Sequence, residues 1–330
     1  LEPPQGGLRI LSPSAAEEGR RWYKGTANAI YENMDFINYY NPDYVLIISG
    51  DHIYKMDYRN IIKAHKENNA DVTISVLRVP WEEASRFGIM TTDADSRIVK
   101  FAEKPAQPDS NLASMGVYLF SWPVLKQALW EDEDDSLSKN DFGQNVIPRL
   151  LGQNMRMYAY EFEGYWKDVG TIESYYHANM ELLEDEPKLN IFDNHRRVCS
   201  NSDVLPPQYL GAKAMVSNSL ISNGCTILGE VTNCIIAPGV FIGEGAQVNG
   251  SILLPNASVK NESQVYKTIV GEQATIGCGC SVGVKAGANP KQEGITVIAD
   301  HTFIKDDSCI EAGQNRKGLY KLQRKERKVV

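Results

Sequence analysis

Ile236-Ala237-Pro238-Gly239-Val240-Phe241-Ile242-Gly243-Glu244-Gly245-Ala246-Gln247-Val248 sets three aliphatic residues six apart. The step continues outward. Ile221 and Ile227 precede it and Leu254 follows; Leu253, Val259 and Val265 keep the interval one residue out of phase, and Val270, Ile276 and Val282 resume it. Gly follows the aliphatic residue in Leu228-Gly229, Ile242-Gly243, Val270-Gly271, Ile276-Gly277 and Val282-Gly283. A six-residue recurrence is the period of a β-helix, in which each short strand turns one aliphatic side chain inward and Gly permits the sharp corner. A β-sandwich of short strands does not keep that step. Ile298, Ile304 and Ile310 predict one further coil beyond a loop at 286–294, so the β-helix is expected over 211–330.

Upstream the periodicity changes. Ala27, Ile30, Tyr31, Met34 and Ile37 fall at three- and four-residue steps and predict one helix over Ala27–Tyr39, ended by Asn41-Pro42-Asp43. Tyr44-Val45-Leu46-Ile47-Ile48 then reads as a buried strand of parallel type, closed by Ser49-Gly50. A helix is expected near Tyr58–Lys66, with strands near Asp71–Val79, Ile89 and Ser114–Phe120. Such alternation predicts an α/β layered domain over 1–185, with ligands in the crevice beyond the carboxyl ends of the strands. Glu184-Asp185-Glu186-Pro187 and Pro206-Pro207 mark an exposed linker, placed at 186–210.

The 330 residues suit two domains. With 34 Lys plus Arg against 42 Asp plus Glu, the net charge of -8 argues against a whole-protein nucleic-acid footprint, so an anionic substrate needs a local site. The longest strongly apolar run, Tyr44–Ile48, is far short of the ~20 residues that cross a bilayer. Leu1-Glu2-Pro3-Pro4 has neither an initiator Met nor the pattern of a signal peptide. Cys199, Cys225, Cys234, Cys278, Cys280 and Cys309 include no Cys-x-x-Cys pair and no zinc-like spacing, which predicts buried, reduced thiols in a cytoplasmic protein.

Four stretches could carry chemistry. In Ser49-Gly50-Asp51-His52-Ile53-Tyr54 an acid stands at a strand end, where it could share a divalent ion with a phosphate or simply cap a helix. His52 beside it is either structural or a base. Tyr165-Trp166-Lys167-Asp168-Val169-Gly170-Thr171 offers a second acid that could reach the same ion. In Phe101-Ala102-Glu103-Lys104-Pro105, Lys suits an isolated phosphate and Glu could accept from sugar hydroxyls; the alternative is a surface ion pair. Trp22-Tyr23-Lys24-Gly25-Thr26-Ala27 could receive an anion at a helix start, or only begin the helix. Glu131 to Asp135 reads as a solvated acidic loop.

Together with Pro80-Trp81-Glu82-Glu83-Ala84-Ser85-Arg86-Phe87-Gly88 and Ala113-Ser114-Met115-Gly116-Val117-Tyr118, these stretches occur in an order that resembles the bacterial glucose-1-phosphate adenylyltransferase family. The resemblance covers nearly the whole chain and implies a nucleotidyltransferase-type, Rossmann-like domain followed by a left-handed parallel β-helix. It implies that ATP and glucose 1-phosphate give ADP-glucose and diphosphate for glycogen synthesis, with Mg²⁺. By the same resemblance Asp51 looks like the catalytic, metal-binding acid and Asp168 like the second carboxylate ligand. Tyr23, Gly88, Glu103, Lys104 and Ser114 look like contacts of glucose 1-phosphate, and Gly25, Thr26 and Ala27 like a nucleotide-side loop.

The family's Gly-Gly-x-Gly-x-Arg-Leu loop does not occur here, so Leu1 is expected to be a cut in a longer enzyme lacking part of its nucleotide site. Asn28 stands where the family often has Asp. The basic tail with Arg316, Lys317, Lys321, Arg324, Lys325, Arg327 and Lys328 is either solvated or a contact for a sugar-phosphate effector or subunit. A homotetramer is expected, with a mixed-subunit oligomer as an alternative. A non-catalytic regulatory subunit and another sugar-1-phosphate nucleotidylyltransferase are the competing functions. No His lies between Leu210 and Val282, which argues against an acyltransferase site in the β-helix.

Overall fold

The structure, a computed structural model, describes residues 7–12, 15–16, 19–20, 22–193, 204–283 and 294–316. Cys199, most of the 286–294 loop, part of the expected linker and the tail from Lys317 onward lie outside these residues. Contacts gather the chain into two compact units, Leu1–Trp166 and Lys167–Val330.

In the first unit a short hairpin, β1 (Ala15–Ala16) and β2 (Gly19–Arg20), precedes α1 (Thr26–Tyr31) and α2 (Met34–Tyr40). The single helix expected over Ala27–Tyr39 is therefore broken. The reason is Asn33, whose amide donates to the Ala29 carbonyl at 2.7 Å and to the Tyr23 hydroxyl at 2.9 Å, diverting local hydrogen bonding at the break. There follow β3 (Tyr44–Ile48), β4 (His52–Tyr54), α3 (Tyr58–Glu67), β5 (Val72–Arg78), α4 (Trp81–Ala84), β6 (Gly88–Thr92), β7 (Ile98–Glu103) and β8 (Leu112–Ser121). Then come α5 (Trp122–Asp134), α6 (Ile147–Gly152) and β9 (Met157–Glu161).

The main sheet runs β7-β6-β8-β5-β9, with β3 paired to β8. The ten-residue β8 organises it, because its halves serve different neighbours: β6 pairs at Leu112 and Ala113, while β3 pairs along Val117–Ser121. Val117 and Leu119 pack with Ile61 of α3 on one face; Phe120 packs with Leu125, Leu129 and Leu150 of α5 and α6 on the other. The layered α/β expectation holds, but β3 is not the buried parallel strand its composition suggested. It runs antiparallel to β8, and Ile48 is 52% exposed. Both faces of β3 are covered, by Val45 and Ile47 on one side and Tyr44 and Leu46 on the other. That explains the continuous apolar run, while strand direction leaves no trace in composition. The parallel pair in the sheet is β5 with β9.

In the second unit α7 (Ile172–Met180) begins on a reciprocal cap between Thr171 and Ser174 and lays Tyr176 on Ile252 and Ile269. The Tyr176 hydroxyl donates to the Gly250 carbonyl at 2.6 Å. The rest is three parallel six-stranded sheets, the left-handed β-helix expected, with inward stacks such as Ile227, Ile242, Val259, Ile276 and Ile304. The further coil at Ile298, Ile304 and Ile310 is present. Ile242 pairs with Val259 and Val259 with Ile276, so these middle coils take 17 residues, one short of three hexads, whereas the first, from Ile227 to Ile242, takes 15. That shortfall is the phase slip seen in the sequence.

Of the glycines that follow aliphatic residues, Gly283 does take the left-handed conformation expected of a corner (φ +74°), whereas Gly229, Gly243, Gly271 and Gly277 do a different job. The left-handed corner at Gly224 and Gly239 passes to Asn256, Gln273 and His301 in later coils, so the corner itself does not need Gly. Gly229 and Gly271 have ordinary backbones, yet a Cβ at Gly229 would lie 2.3 Å from the Ala246 carbonyl oxygen and one at Gly271 2.5 Å from the Asp300 nitrogen. They are glycine because the next coil passes over them. We therefore expect Gly229→Val to cost about 3 kcal/mol by overpacking, read as a lower melting temperature, while Gly152→Ala, which points into open space, leaves it nearly unchanged.

The described thiols, at Cys225, Cys234, Cys278, Cys280 and Cys309, are all free. Cys225, Cys234 and Cys280 are buried as expected; Cys278 and Cys309 are exposed, because they lie on the outer side of their coils.

Candidate active site

Asp51 follows the end of β3, and its position comes from a turn rather than a helix cap. It is 59% exposed by side chain, accepts from the Ser49 hydroxyl, and has His52 Nε2 at 3.4 Å from Oδ1. The Ser49 hydrogen bond, with His52 adding to it, holds this carboxyl below the usual range against the opposing effect of partial burial. Asp51 is thus an exposed, ionised group suited to a cation. Ser49 is fixed in turn by donation of its backbone N–H to the Gly116 carbonyl at 3.1 Å.

Glu103 and Lys104 stand at the end of β7. Glu103 is half-buried and lodged between two glycines: a Cβ at Gly88 would lie 2.9 Å from its Oε2, and one at Gly143 2.6 Å from it. Burial pushes its pKa up, Lys104 opposes this and Asp141 adds to it. Lys104 adopts a left-handed backbone (φ +46°), uncommon for a residue with a side chain, while its N–H donates to the Phe87 carbonyl at 3.1 Å. Its ammonium lies 3.8 Å from Glu103 Oε1 with 67% of the side chain exposed, so the cation remains accessible.

Ser114, on β8, donates from its hydroxyl to the Tyr118 hydroxyl at 3.4 Å and accepts from the Gly116 N–H at 3.2 Å. The structure thus joins Gly88 to Glu103 and Lys104 and links Ser114 to Tyr118. Three neighbours were not singled out from sequence. The Tyr118 hydroxyl, pushed up to about 12 by burial, is influenced by Glu103 and Asp141; Asp141 caps the turn at Phe142–Val146; Gly143 makes room for the Glu103 carboxylate. Asn140-Asp141-Phe142-Gly143 carries a turn signature, but its approach to Glu103 is made only in the fold.

Gly25, Thr26 and Ala27 dock on the same turn. A Cβ at Gly25 would lie 2.4 Å from the Asn140 carbonyl oxygen, the Thr26 hydroxyl donates to Asp141 at 3.1 Å, and the Ala27 N–H donates to the Asn140 carbonyl at 2.8 Å. The Ala27 amide is thus committed to the protein, as is that of Lys24, which donates to the Asn28 side chain at 3.0 Å. This opposes the expectation of an anion at this helix start. Tyr23 donates to the Leu11 carbonyl at 3.2 Å.

Asp168 opens the second unit and accepts from the Gly170 N–H at 2.7 Å. Two residues before it, Trp166 closes the first unit with its ring 5.0 Å from that of His52 and 5.3 Å from that of Phe87. The acidic run expected to be a solvated loop is corrected, most clearly at Asp132. Asp132 is not part of a solvated loop: it sits in the last turn of α5, is 1% exposed, accepts from Ser138 at 2.7 Å and Asn140 at 3.1 Å, and faces Arg149 at 3.5 Å. Glu131 to Asp134 all belong to α5 rather than to a loop, and Glu133 too is largely covered, its carboxylate accepting from Asn28 at 3.1 Å; the composition of the acidic run hid this inward face.

Residues 9–185 match the nucleotidyl transferase family model, and residues 207–299 match a GlmU-like, C-terminal hexapeptide model. Over 310 residues the chain is 57% identical to a glucose-1-phosphate adenylyltransferase of Desulfitobacterium hafniense, covering 94% of this chain and 78% of that protein. It is 48% identical over 314 residues to one from Desulforamulus reducens (93% and 79%) and 45% identical over 318 residues to one from Acetivibrio thermocellus (94% and 74%). With this identity along both units, a two-part architecture that fits both family models, and Asp51, Glu103 and Lys104 at strand ends, the chain belongs to the bacterial glucose-1-phosphate adenylyltransferase family of nucleotidyl transferases.

Proposed function

We propose that the protein is a glucose-1-phosphate adenylyltransferase, forming ADP-glucose and diphosphate from ATP and glucose 1-phosphate for glycogen synthesis. A phosphate oxygen of glucose 1-phosphate attacks the α-phosphorus of ATP; the bond to the bridging oxygen of the α- and β-phosphates breaks, and diphosphate leaves with the electron pair. The observation that carries this is the pairing of an accessible Lys104 cation with a half-buried Glu103 acceptor at one strand end. Lys104 would hold the sugar phosphate and Glu103 the sugar hydroxyls. Gly88 keeps the Glu103 carboxylate free of a clash, Ser114 and Tyr23 contribute hydroxyls, and Gly25, Thr26 and Ala27 fix the nucleotide-side turn by docking on Asn140 and Asp141.

The family generally uses a divalent metal. Mg²⁺ is our choice, with Asp51 and Asp168 as its carboxylate ligands; the low pKa of Asp51 fits a cation-binding role. When bound, such an ion supplies charge neutralisation for the phosphates. We place the catalytic domain over 1–185, a linker over 186–210 and the β-helix over 211–330, a cytoplasmic homotetramer open to a sugar-phosphate effector. No helix among the described residues is long and apolar enough to cross a membrane.

The test is isotope exchange in the full-length enzyme. Radiolabelled diphosphate should enter ATP in the presence of ADP-glucose and Mg²⁺ and should not do so with ADP alone; exchange without a nucleotide sugar would contradict the proposal. Glu103 supplies a pH signature. Because burial raises its pKa, lowering the pH protonates it earlier than an ordinary Glu, which removes its charge and reduces its acceptor capacity. KM for glucose 1-phosphate should therefore rise more steeply on acidification in wild type than in Glu103→Gln, in which only the substrate's own phosphate titrates.

A further inference from the structure

His52 has no part in the scheme above, yet its ring is held in one orientation from three directions. Nδ1 lies 2.8 Å from the Met115 carbonyl oxygen. A carbonyl only accepts, so Nδ1 carries a proton, and in the neutral ring Nε2 then keeps its lone pair. The Trp166 ring crosses it at 65° with centroids 5.0 Å apart. On another side stands Gly116, in the left-handed region at φ +67°, where a Cβ would lie 3.0 Å from His52 Cε1. The free nitrogen so aimed lies 3.4 Å from Asp51 Oδ1.

We infer that His52 supplies, through Nε2, a nitrogen ligand to the divalent cation held by Asp51; the inference rests on the proposed role of Asp51. Two donor atoms bound to one small divalent ion at about 2.1 Å stand about 3.0–3.4 Å apart. The Asp51–His52 separation falls in that range. A metal-ligating imidazole almost always donates its other N–H to a carboxylate, a backbone carbonyl or water, and Met115 is such a carbonyl. An ion pair between protonated His52 and Asp51 accounts for the geometry less well, because a charge-assisted N–H···O bond is typically about 2.7–2.9 Å. An imidazole donor also biases a site away from Mg²⁺ towards first-row transition ions, since hard all-oxygen sites suit Mg²⁺ best.

Pulsed electron paramagnetic resonance on the full-length enzyme with Mn²⁺ and inorganic diphosphate tests this directly, because diphosphate carries no nitrogen. The wild type should show a ¹⁴N coupling of imidazole type that disappears in His52→Asn. Its Mn²⁺ affinity should fall about ten-fold or more in that variant, with the Mg²⁺ affinity changing less. A wild-type spectrum without nitrogen coupling, from Mn²⁺ whose binding is lost in Asp51→Asn, would overturn the role of His52 and leave that of Asp51 standing. Mn²⁺ binding indifferent to Asp51→Asn would overturn both. A wild-type spectrum without nitrogen coupling overturns the proposal even if a His52 variant fails to fold.

Discussion

Asp51→Asn should lower kcat of the full-length enzyme about 10³-fold or more, a loss of about 4 kcal/mol of transition-state stabilisation. The substitution keeps size and removes charge. In the folded protein Asp51 accepts from Ser49 and faces His52 while remaining 59% exposed, so no core packing depends on it. Melting temperature should therefore stay within a few degrees of wild type, and KM for glucose 1-phosphate should move little. The physical reason for the large expected effect on kcat is the approach of two anions: on the proposed role of Asp51, an uncharged amide at this position would no longer attract the cation that would screen them. Steady-state kinetics with both substrates saturating measures it. A variant within ten-fold of the wild-type kcat would remove Asp51 from the machinery.

Lys104→Gln should act on the other substrate. An exposed ammonium on a rigid strand end is a point charge for phosphate, and losing a charge-assisted contact of this kind costs about 1.5–3 kcal/mol, or roughly 10–10² in KM for glucose 1-phosphate. KM for ATP should change much less. The left-handed backbone at Lys104 matters here, because it sets the direction in which the side chain leaves β7. Lys104→Arg keeps the charge but not the compact ammonium, and should recover only part of the loss. Equal increases in both KM values would instead indicate a disturbed fold and would contradict a dedicated phosphate contact.

Much of this was legible in the sequence for an identifiable physical reason. Aliphatic residues such as Ile236, Ile242 and Val248 repeat because every coil must fill the same interior, and a local rule imposed many times leaves a period. Asp51, Glu103 and Lys104 stood out because strand ends followed by turns expose polar groups, and strand ends are visible in apolar runs. What was missed depends on contacts between distant segments. Gly143 faces Glu103, Gly229 lies beneath Ala246 and Asp132 meets Asn140 and Arg149 only after folding. The antiparallel pairing of β3 is of the same kind, since Tyr44–Ile48 is apolar whichever way its partner runs.

The central claim, that this site joins a glucose 1-phosphate to an adenylyl group, is tested most directly by a product panel. Full-length enzyme with Mg²⁺ is given each of the four nucleoside triphosphates with each of several sugar 1-phosphates, and the nucleotide sugars formed are identified by mass spectrometry. ATP with glucose 1-phosphate should give ADP-glucose and diphosphate as the dominant reaction, lost in Asp51→Asn. A dominant product carrying another base or another sugar would contradict the account, as would ADP-glucose formation that survives Asp51→Asn unchanged.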